Sequence, residues 1–455
     1  MKVIVIGGSH AGIAASRFLK KLDPTTNVCL IEKTKVLGFI PSSVNLIFKG
    51  LFSAKEIEKG EVGSQEQLES LGIQVLLETT VTKIDLKTKK VTYQDNLTEQ
   101  TSEETFDKLI LAMGSDRFAP LIPESDVDHP NIITYKSRTK TIEAYQKLNG
   151  SEQIAIIGAG LIGLELASSL VEQSNKKITI IEQMNRPVFR YFDEEITDIL
   201  LQHIPESVDL RLSESFNHCQ VVETTGREQL EVQFFSGQTK LVDACVFAVN
   251  PKPEVALVEN LVALDFDQTI LVNDFMQTSD SDVYAIGDLI KLPFGVHGDR
   301  AYLPLIGNAR KTAFVAASHI TLADPKPIPI TQRAIGTEIF GIFLGSSGIT
   351  QDEADFYGFE TSSITKTYTH FSNYHTKDDF FATFKVLYDA KTKQLFGAQI
   401  ISNQKDILDL LNVLTQMIVG HASASDLVFS ELYYNPKFSP STNFLADLGL
   451  EALLK

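Results

Sequence analysis

Short apolar runs followed by glycine-rich turns occur twice in this chain. Residues 2–6 (KVIVI) form the first run, and residues 154–157 (IAII) form the second. Each run is too short for a core helix and has no polar alternation, so each predicts a buried parallel strand. The residues that follow, GGSHAG at 7–12 and GAGLIG at 158–163, predict a tight turn leading into a helix. The pattern therefore predicts two strand–turn–helix units about one domain apart.

The positions between these turns complete the first unit. A helix is predicted at 13–22 and a second strand at 28–31, ending at Glu32. Further apolar runs predict a strand at 73–77, a strand–turn–strand around 81–93, and a strand within 106–115 that ends in a glycine turn. Residues 117–130 carry three prolines and no clear periodicity, which indicates a linker.

The second unit repeats this arrangement and a different region follows it. A strand at 178–181 ends at Glu182, and strands are predicted at 231–235, at 244–249 and within 278–288. From residue 330 the pattern changes to longer alternating strands (381–387 and 395–400), a long helix at 406–419 and an aromatic tail. The absence of a phosphate-binding turn there indicates a separate α+β domain.

Each glycine turn indicates a dinucleotide site. Glycine has no Cβ, so a pyrophosphate can approach the backbone amides closely. A Cβ would keep the pyrophosphate away from them. An acidic residue about 20 positions past the last glycine accepts hydrogen bonds from ribose hydroxyls, and Glu32 and Glu182 hold those positions. Two such sites predict two dinucleotides and electron transfer between them.

Composition narrows the class of protein. A length of 455 residues predicts about three domains. The net charge of −17 disfavours nucleic acid and anionic membranes as partners, and no apolar run is long enough for a membrane span. The three cysteines form neither a C-x-x-C pair nor a metal site and favour a reducing compartment. We expect a cytoplasmic protein with no metal.

Three landmarks in fixed order resemble the pyridine nucleotide–disulfide oxidoreductases. They are the 7–12 turn with Glu32, the 158–163 turn with Glu182, and YAIGD at 284–288. The resemblance covers essentially the whole chain. It implies an α/β fold with two Rossmann-like dinucleotide-binding domains (the glutathione-reductase-like FAD/NAD fold) and a C-terminal α+β dimerisation domain.

The same resemblance implies domain bounds and cofactors. A discontinuous FAD-binding domain would comprise 1–115 and 247–326, an NAD(H)-binding domain 116–246, and the dimerisation domain 327–455. Asp288 would lie at a helix N-terminus and accept from the ribityl chain of FAD, or serve only as a helix cap. The implied cofactor-binding residues are Gly7, Ser9, Gly12, Glu32, Lys33, Val81, Ala112, Gly114, Gly158, Gly160, Ile162, Gly163, Glu182, Gly287 and Asp288.

The choice of nucleotide depends on Glu182. A carboxylate there favours NADH because it repels the 2′-phosphate of NADPH. Arg186 and Arg190 follow closely and leave NADPH open. Leu161 replaces an aromatic gate of the family, which implies a less covered nicotinamide pocket.

Ser9 stands where the general turn has its middle glycine. In this the sequence resembles the branch of NADH oxidases, NADH peroxidases and coenzyme A-disulfide reductases, where a small hydroxyl residue precedes a functional histidine. The resemblance implies that His10 is a proton donor or hydrogen-bond partner at the flavin, against the alternative of a solvated histidine at a helix start. Glu165 holds the family's acidic helix position and either approaches the flavin or is a solvated glutamate.

The redox-active cysteine of that branch is missing. Its motif reads Phe-Leu-Ser-Cys-Gly, whereas residues 39–43 here read FIPSS, so an ungapped alignment puts Ser42 at the cysteine. A serine cannot cycle through a sulfenic acid as a thiolate does. Ser42 is the third residue of the predicted catalytic set, with His10 and Glu165, although it and Ser43 also suit a helix N-cap.

These features predict an FAD-dependent NADH oxidase. Hydride would pass from NADH to the flavin and two electrons to O2, with H2O2 as the product because the cysteine is absent. The alternatives are an NADH:acceptor reductase acting on a quinone or small redox protein, and a slow-turnover redox-sensing flavoprotein. The tail at 432–438 implies a homodimer, in which Tyr433 and Tyr434 either cover the partner's flavin or form interface core.

Overall fold

A computed structural model describes most of the chain: residues 1–40, 42–53, 63–116, 129–134, 138–173, 175–224, 226–249, 252–372 and 379–455. Residues 117–128 of the predicted linker lie outside the described residues.

The first unit is built around a parallel sheet. Strand β1 pairs in parallel with β2 on one side and β7 on the other, and β2 continues to β3. Residues 3–6 are buried, as the apolar run predicts. A three-stranded antiparallel sheet, β4–β5–β6, is attached, and its third strand was not predicted. The elements are β1 Lys2–Ile6, α1 His10–Leu22, β2 Asn27–Ile31, α2 Ser43–Phe48, α3 Gln65–Glu69, β3 Ile73–Leu76, β4 Thr79–Asp85, β5 Lys90–Asp95, β6 Thr101–Thr105, β7 Lys108–Leu111 and β8 Ser115–Asp116.

The second unit repeats this plan. Its main sheet has the order β12-β11-β10-β16-β9 with parallel neighbours, and the antiparallel strands β13, β14 and β15 form a separate sheet. Only β14 of those three was predicted. The elements are β9 Ile132–Ile133, α4 Arg138–Gly150, β10 Gln153–Ile157, α5 Leu161–Leu170, β11 Lys177–Ile181, α6 Glu194–Leu201, β12 Val208–Arg211, β13 Phe216–Thr224, β14 Arg227–Phe234, β15 Thr239–Val242, β16 Ala244–Phe247 and β17 Lys252–Pro253.

The chain then returns to the first unit. Strand β18 (Val283–Ala285) pairs in parallel with β7 and completes the first sheet. The two crossings between the units lie side by side, because β8 pairs antiparallel with β17. A hairpin of β19 (Lys291–Pro293) and β20 (Arg300–Tyr302) follows, and then α7 (Ile306–Thr321), which packs on α1. The exact domain bounds stay predictions.

The C-terminal unit is an antiparallel sheet with helices. Its strand order is β21-β22-β25-β24-β23. The elements are β21 Ile335–Ile339, β22 Ile342–Gly348, α8 Gln351–Tyr357, β23 Thr361–Tyr368, β24 Ala382–Asp389, β25 Leu395–Ser402, α9 Lys405–Leu408, α10 Leu410–Val419, α11 Ala424–Val428 and α12 Phe444–Leu454.

Two details predicted for this unit are wrong. The helix expected at 406–419 is two helices, α9 and α10, separated at Asp409. Strand β25 is buried along its whole length and β24 along all but its last residue, so burial does not alternate. The reason is that both faces are covered: Ile400 packs into the C-terminal core, whereas Ile401 packs into the core of the second unit. The predicted fold class, two Rossmann-like units and a C-terminal α+β unit, is confirmed.

Candidate functional site

The first glycine turn begins where β1 ends. Gly7 has φ +108°, a conformation that favours glycine, and a Cβ on it would lie 2.3 Å from the Ala112 carbonyl oxygen. A Cβ on Gly12 would lie 1.8 Å from the Gly7 carbonyl oxygen, so the start of α1 packs directly on the turn. Ser9 occupies the N-cap position of α1 but its side chain makes no capping hydrogen bond, and it is exposed. Backbone amides at this turn are therefore approachable from outside.

Glu32 closes the turn from the end of β2. Its Oε2 accepts a 2.6 Å hydrogen bond from the Gly8 amide, and its Oε1 accepts from the amide and the hydroxyl of Thr34, each at 2.8 Å. Gly8 is a functional position that was not predicted: a Cβ there would lie 2.8 Å from Cβ of Glu32. The glycine doublet at 7–8 was the signal in the sequence.

The second glycine turn repeats this geometry. Gly158 has φ +105°, and Glu182 accepts from the Ala159 amide at 2.8 Å and from the Met184 amide at 2.9 Å. A Cβ on Gly163 would lie 2.0 Å from the Gly158 carbonyl oxygen, whereas a Cβ on Gly160 would meet no described atom within 4 Å. Gly160 is therefore not required by packing, and the space in front of it is free for a ligand.

His10 and Asp288 lie close to each other where α1 meets the returning chain. A Cβ on Gly287 would lie 3.1 Å from Cβ of Ala11, and the Asp288 carboxylate accepts a 2.8 Å hydrogen bond from the Ser115 hydroxyl. Asp288 lies in the first turn of a short helix, and the resemblance places it at a helix N-terminus. That helix is one 3-10 turn, Gly287–Leu289, and α7 starts later in the chain.

The His10 ring is buried and neutral. Burial lowers its pKa, the Arg310 guanidinium lowers it further, and Asp288 opposes them. Among the described residues neither ring nitrogen has a hydrogen-bond partner. A neutral imidazole offers one donor and one acceptor, so His10 is equipped to bind a polar group that enters from outside the chain.

Ser42 occupies the N-cap position of α2, as predicted by the interpretation of Ser42 as a helix cap. Its side chain, however, makes no capping hydrogen bond. The next turn carries unpaired polar atoms: the Ser43 hydroxyl and the amide group of Asn45 are buried and have no partner within the described part of the chain. Helix α2 packs on α5, the helix that begins at the second glycine turn and carries Glu165. The structure thus brings the Ser42 and Glu165 helices together.

Glu165 is half-buried between the units and accepts a hydrogen bond within the protein, so it is not a solvated glutamate. Its Oε1 accepts a 2.6 Å hydrogen bond from the Thr337 hydroxyl on β21. Burial raises the pKa of Glu165, while the Thr337 hydrogen bond and the charge of Lys49 oppose that rise. Lys49 itself pairs with Glu338 at 3.0 Å. Thr337 and Lys49 were not predicted, because nothing in the local sequence relates them to Glu165.

The cysteines do not replace the missing sulfur. Cys29, Cys219 and Cys245 are all buried. Burial raises the pKa of the Cys29 thiol to about 11 and that of Cys245 well above its ordinary value. Because the thiolate is the reactive form, these thiols are inert in the closed fold.

The remaining predicted residues occupy varied positions. Lys33 is exposed, and its carbonyl oxygen accepts from the Asn96 side chain at 2.9 Å. Val81 packs at the edge of the first core, and Gly114 has φ +78° in open space. Ile162 is 37 % exposed at the start of α5, as expected of a residue that faces a ligand. None of these contacts decides their roles.

The arrangement fits two dinucleotides. Native proteins leave few buried polar groups unpaired, and here the unpaired groups of His10, Ser43 and Asn45 lie on the helices that follow the first glycine turn and residues 39–43. An extended polar cofactor such as FAD would supply the missing partners. Within the described ranges we find no cluster of metal-ligating side chains and no helix long and apolar enough to cross a membrane.

Two protein-family models match this chain, one over its first 313 residues and one over its C-terminal unit. The pyridine nucleotide-disulphide oxidoreductase model matches residues 1–313. The dimerisation-domain model of the same family matches residues 338–444.

Full-length relatives agree with this assignment. An NADH oxidase of Enterococcus faecalis is 27 % identical, with 100 % of this chain and 99 % of the relative covered. A CoA-dependent NAD(P)H sulfur oxidoreductase of Pyrococcus furiosus is 29 % identical, with 96 % of each covered. The solved structure of a water-forming NADH oxidase from Lactobacillus brevis, bound to NADH, shares the fold: its TM-score is 0.90 at 24 % identity, over 100 % of this chain and 98 % of the other.

Proposed function

The chain belongs to the pyridine nucleotide-disulphide oxidoreductase family, and from this premise we propose that it is an FAD-dependent NADH oxidase. Bound FAD supplies the redox chemistry, accepting a hydride from NADH and returning two electrons to O2. The observation that carries the proposal is the pair of matching glycine turns, each closed by a carboxylate on backbone amides. Relatives named NADH oxidase support it over the full length of the chain.

The residues of each turn divide between the two nucleotides. The first turn, with Glu32 and Asp288, would hold FAD, and the second, with Glu182, would hold NADH. Each glutamate already accepts hydrogen bonds from backbone amides. Its carboxylate has further lone pairs that can accept hydrogen bonds from ribose hydroxyls. The protein's part is therefore to fix the two cofactors on preformed turns and to align them.

NADH is favoured over NADPH by the charges near the second turn. The Glu182 carboxylate would repel a 2′-phosphate. The Arg186 guanidinium is not free to attract one, since it pairs with Asp352 of the C-terminal unit and its side chain is only 11 % exposed. Arg190 is exposed but lies eight residues beyond Glu182.

His10 and Glu165 would handle protons next to the flavin. His10 is held neutral by burial and offers one hydrogen-bond donor without a charge. The half-buried Glu165 carboxyl takes up a proton more readily than an exposed one. These two groups and the Ser42 hydroxyl have different ionisation behaviour, so each would bind a different polar position of the cofactor.

The expected product is hydrogen peroxide: NADH, a proton and O2 give NAD⁺ and H2O2. Reducing the peroxide onward to water by the sulfur route needs a thiolate beside the flavin. Ser42 offers a hydroxyl at that position, and all three cysteines are buried. In this the chain would differ from the water-forming enzyme of L. brevis.

A homodimer with the C-terminal tail near the partner's flavin completes the proposal. The dimerisation-domain match supports the dimer, and large apolar side chains of the tail are exposed in the single chain, with Tyr433 82 % and Phe438 54 % exposed. Burying them against a second copy would remove that apolar surface from water.

The test is an anaerobic titration of the FAD-loaded protein with NADH, followed by admission of air and a peroxide assay. We expect one NADH to bleach one flavin and one H2O2 to form per NADH consumed in air. Fast reduction with slow reoxidation would contradict the oxidase and favour an NADH:acceptor reductase or a redox sensor. Absence of reduction by NADH would contradict all three.

A further inference from the structure

A cavity separate from the two glycine turns lies where three parts of the chain meet. Its volume is about 110 Å³, and its walls come from the loop after β11, from the β19–β20 hairpin and from the C-terminal unit. Since a water molecule occupies about 30 Å³ of liquid, the cavity has room for about three waters or one small ion. Neither glycine turn contributes to its lining.

The first unusual group of the cavity is Arg333. Its side chain is 5 % exposed, and its two terminal nitrogens donate to the two oxygens of Glu353 at 2.6 and 2.8 Å. Its Nε, however, is buried without an acceptor in the described structure. The backbone of Arg333 has φ +48°, which is strained for a residue with a Cβ. A buried donor without a partner is costly, and strain of this kind clusters at ligand sites.

The second unusual group is His297. Its Nδ1 accepts a 3.0 Å hydrogen bond from the Asp299 amide, so the neutral ring carries its proton on Nε2. That Nε2 is also buried and unpartnered in the described parts of the chain. The ring is held in place by stacking on Tyr357, with centroids 3.9 Å apart and planes 12° from parallel. His297 therefore presents a fixed N–H donor.

The cavity lining carries two arginines and one carboxylate, and a second carboxylate, Asp299, lies beside the His297 ring and Tyr357. Glu353 uses both oxygens on Arg333, and its Oε2 also accepts from the Thr350 amide at 3.0 Å. Arg190 is exposed and makes no ion pair with any described residue. Two N–H donors without a partner among the described residues and the Arg190 guanidinium thus line the cavity, and Glu353 is already neutralised by Arg333.

We infer that this cavity binds a small oxyanion, a carboxylate or phosphate group. Such a ligand has only acceptors, as the two orphan donors require, and its charge complements Arg190. This site goes beyond the proposed oxidase activity, although Tyr302 of its lining lies near Asp288.

The experiment is calorimetric titration of the FAD-loaded protein with sodium phosphate, acetate and succinate separately, at an ionic strength held constant with sodium chloride. We expect saturable binding of one ion per chain by at least one of them. The tighter ligand then shows whether a tetrahedral phosphate or a planar carboxylate is the natural group. Binding should persist when NAD⁺ saturates the protein.

Variants locate the bound ion. His297→Phe keeps a ring that can stack on Tyr357 but removes the N–H donor, and we expect about a tenfold weaker Kd. Arg190→Gln changes an exposed side chain without risk to folding and should weaken binding a few-fold. Arg227→Gln is the matched control: it removes an equally exposed arginine from β14, outside the cavity lining, and should leave Kd unchanged.

Three outcomes would overturn the inference. They are no saturable binding by any of the three anions, a Kd that neither His297→Phe nor Arg190→Gln changes, and displacement of the anion by NAD⁺. The last outcome would make the cavity part of the nucleotide site.

Discussion

The Thr337 hydroxyl donates a 2.6 Å hydrogen bond to Oε1 of Glu165 and so joins the C-terminal unit to the helix that starts at the second glycine turn. Burial raises the pKa of Glu165, whereas this hydrogen bond and the charge of Lys49 favour the ionised form. The pKa of the Glu165 carboxyl is therefore set by two opposing effects. Both can be tested by substitution.

Replacing Glu165 with Gln should change how stability depends on pH. The pKa of Glu165 is raised in the folded protein, so its ionisation opposes folding. This destabilisation is absent at pH values below the pKa that Glu165 has in the unfolded protein. It grows as the pH rises through the pKa that Glu165 has in the folded protein. Glu165→Gln removes the ionisation, so its free energy of unfolding, relative to the wild type, should increase as the pH rises from about 4.5. Urea unfolding across pH 4–8 measures this difference.

The control for this measurement is Glu172→Gln. Glu172 is exposed and lies just past the end of α5. Its substitution makes the same chemical change at an exposed position, so the two pH profiles are compared directly. A Glu165→Gln profile that follows the Glu172→Gln profile would show that Glu165 does not titrate with a raised pKa.

Removing the hydroxyl of Thr337 should raise the pKa of Glu165 further. Thr337→Val has nearly the same shape but cannot donate, so the ionised carboxylate loses a partner. In the pH profile of flavin reduction by NADH, the apparent pKa assigned to Glu165 should move upward. Thr337→Ser keeps a hydroxyl and should leave the profile near that of the wild type. If the valine and serine variants gave the same profile, the hydrogen bond would not set this pKa.

Local sequence predicted the parts of the site that local geometry determines. The glycine turns, Glu32 and Glu182 follow from a strand, a tight turn and a helix, all within about 30 residues. Thr337 could not be found in this way, because it reaches Glu165 across 172 positions of sequence. The same holds for Lys49, which approaches Glu165 only through the packing of α2 on α5.

The errors in the fold have a similar origin. Strands β24 and β25 were expected to alternate between core and solvent, as strands of a one-sided antiparallel sheet do. Their second face is covered by residues distant in sequence, because α6 of the second unit packs on β25, and Ile401 shares a core with Ile196 and Leu200.

The first and the middle glycine of the second turn should respond differently to alanine. Gly158 has φ +105°, so Gly158→Ala should destabilise the protein by about 1–2 kcal/mol. Gly160 has negative φ and open space, so Gly160→Ala should leave stability of the NADH-free protein nearly unchanged. Its Cβ would instead meet the pyrophosphate of NADH and raise the Kd for NADH. Thermal unfolding and NAD⁺ titration separate the two effects, and unchanged nucleotide binding by Gly160→Ala would place the nucleotide elsewhere.

Substitution of Glu182 should reduce the preference for NADH. Glu182→Gln removes the negative charge near the expected 2′-phosphate but keeps an oxygen for the Ala159 or Met184 amide. Charge repulsion near a protein surface is of the order of 1–4 kcal/mol at 4 Å, so the ratio of kcat/KM for NADH to that for NADPH should fall about tenfold or more. Glu32→Gln is the control, because it makes the equivalent change at the other turn. An equal fall in both variants would contradict the assignment of the second turn to NADH.

Replacing Ser42 with Cys tests the position of the missing sulfur. If Ser42 lies beside the flavin, a thiol there can be oxidised by peroxide and reduced again, so the H2O2 released per NADH should fall well below one. Ser43→Cys is the neighbouring control: the Ser43 hydroxyl is buried with no partner among the described residues, and the alignment puts the sulfur one residue earlier. Peroxide release should therefore stay near one per NADH in Ser43→Cys. A fall in the Ser43 variant alone would move the sulfur position by one residue, and no fall in either would show that residues 39–43 do not align with the cysteine motif.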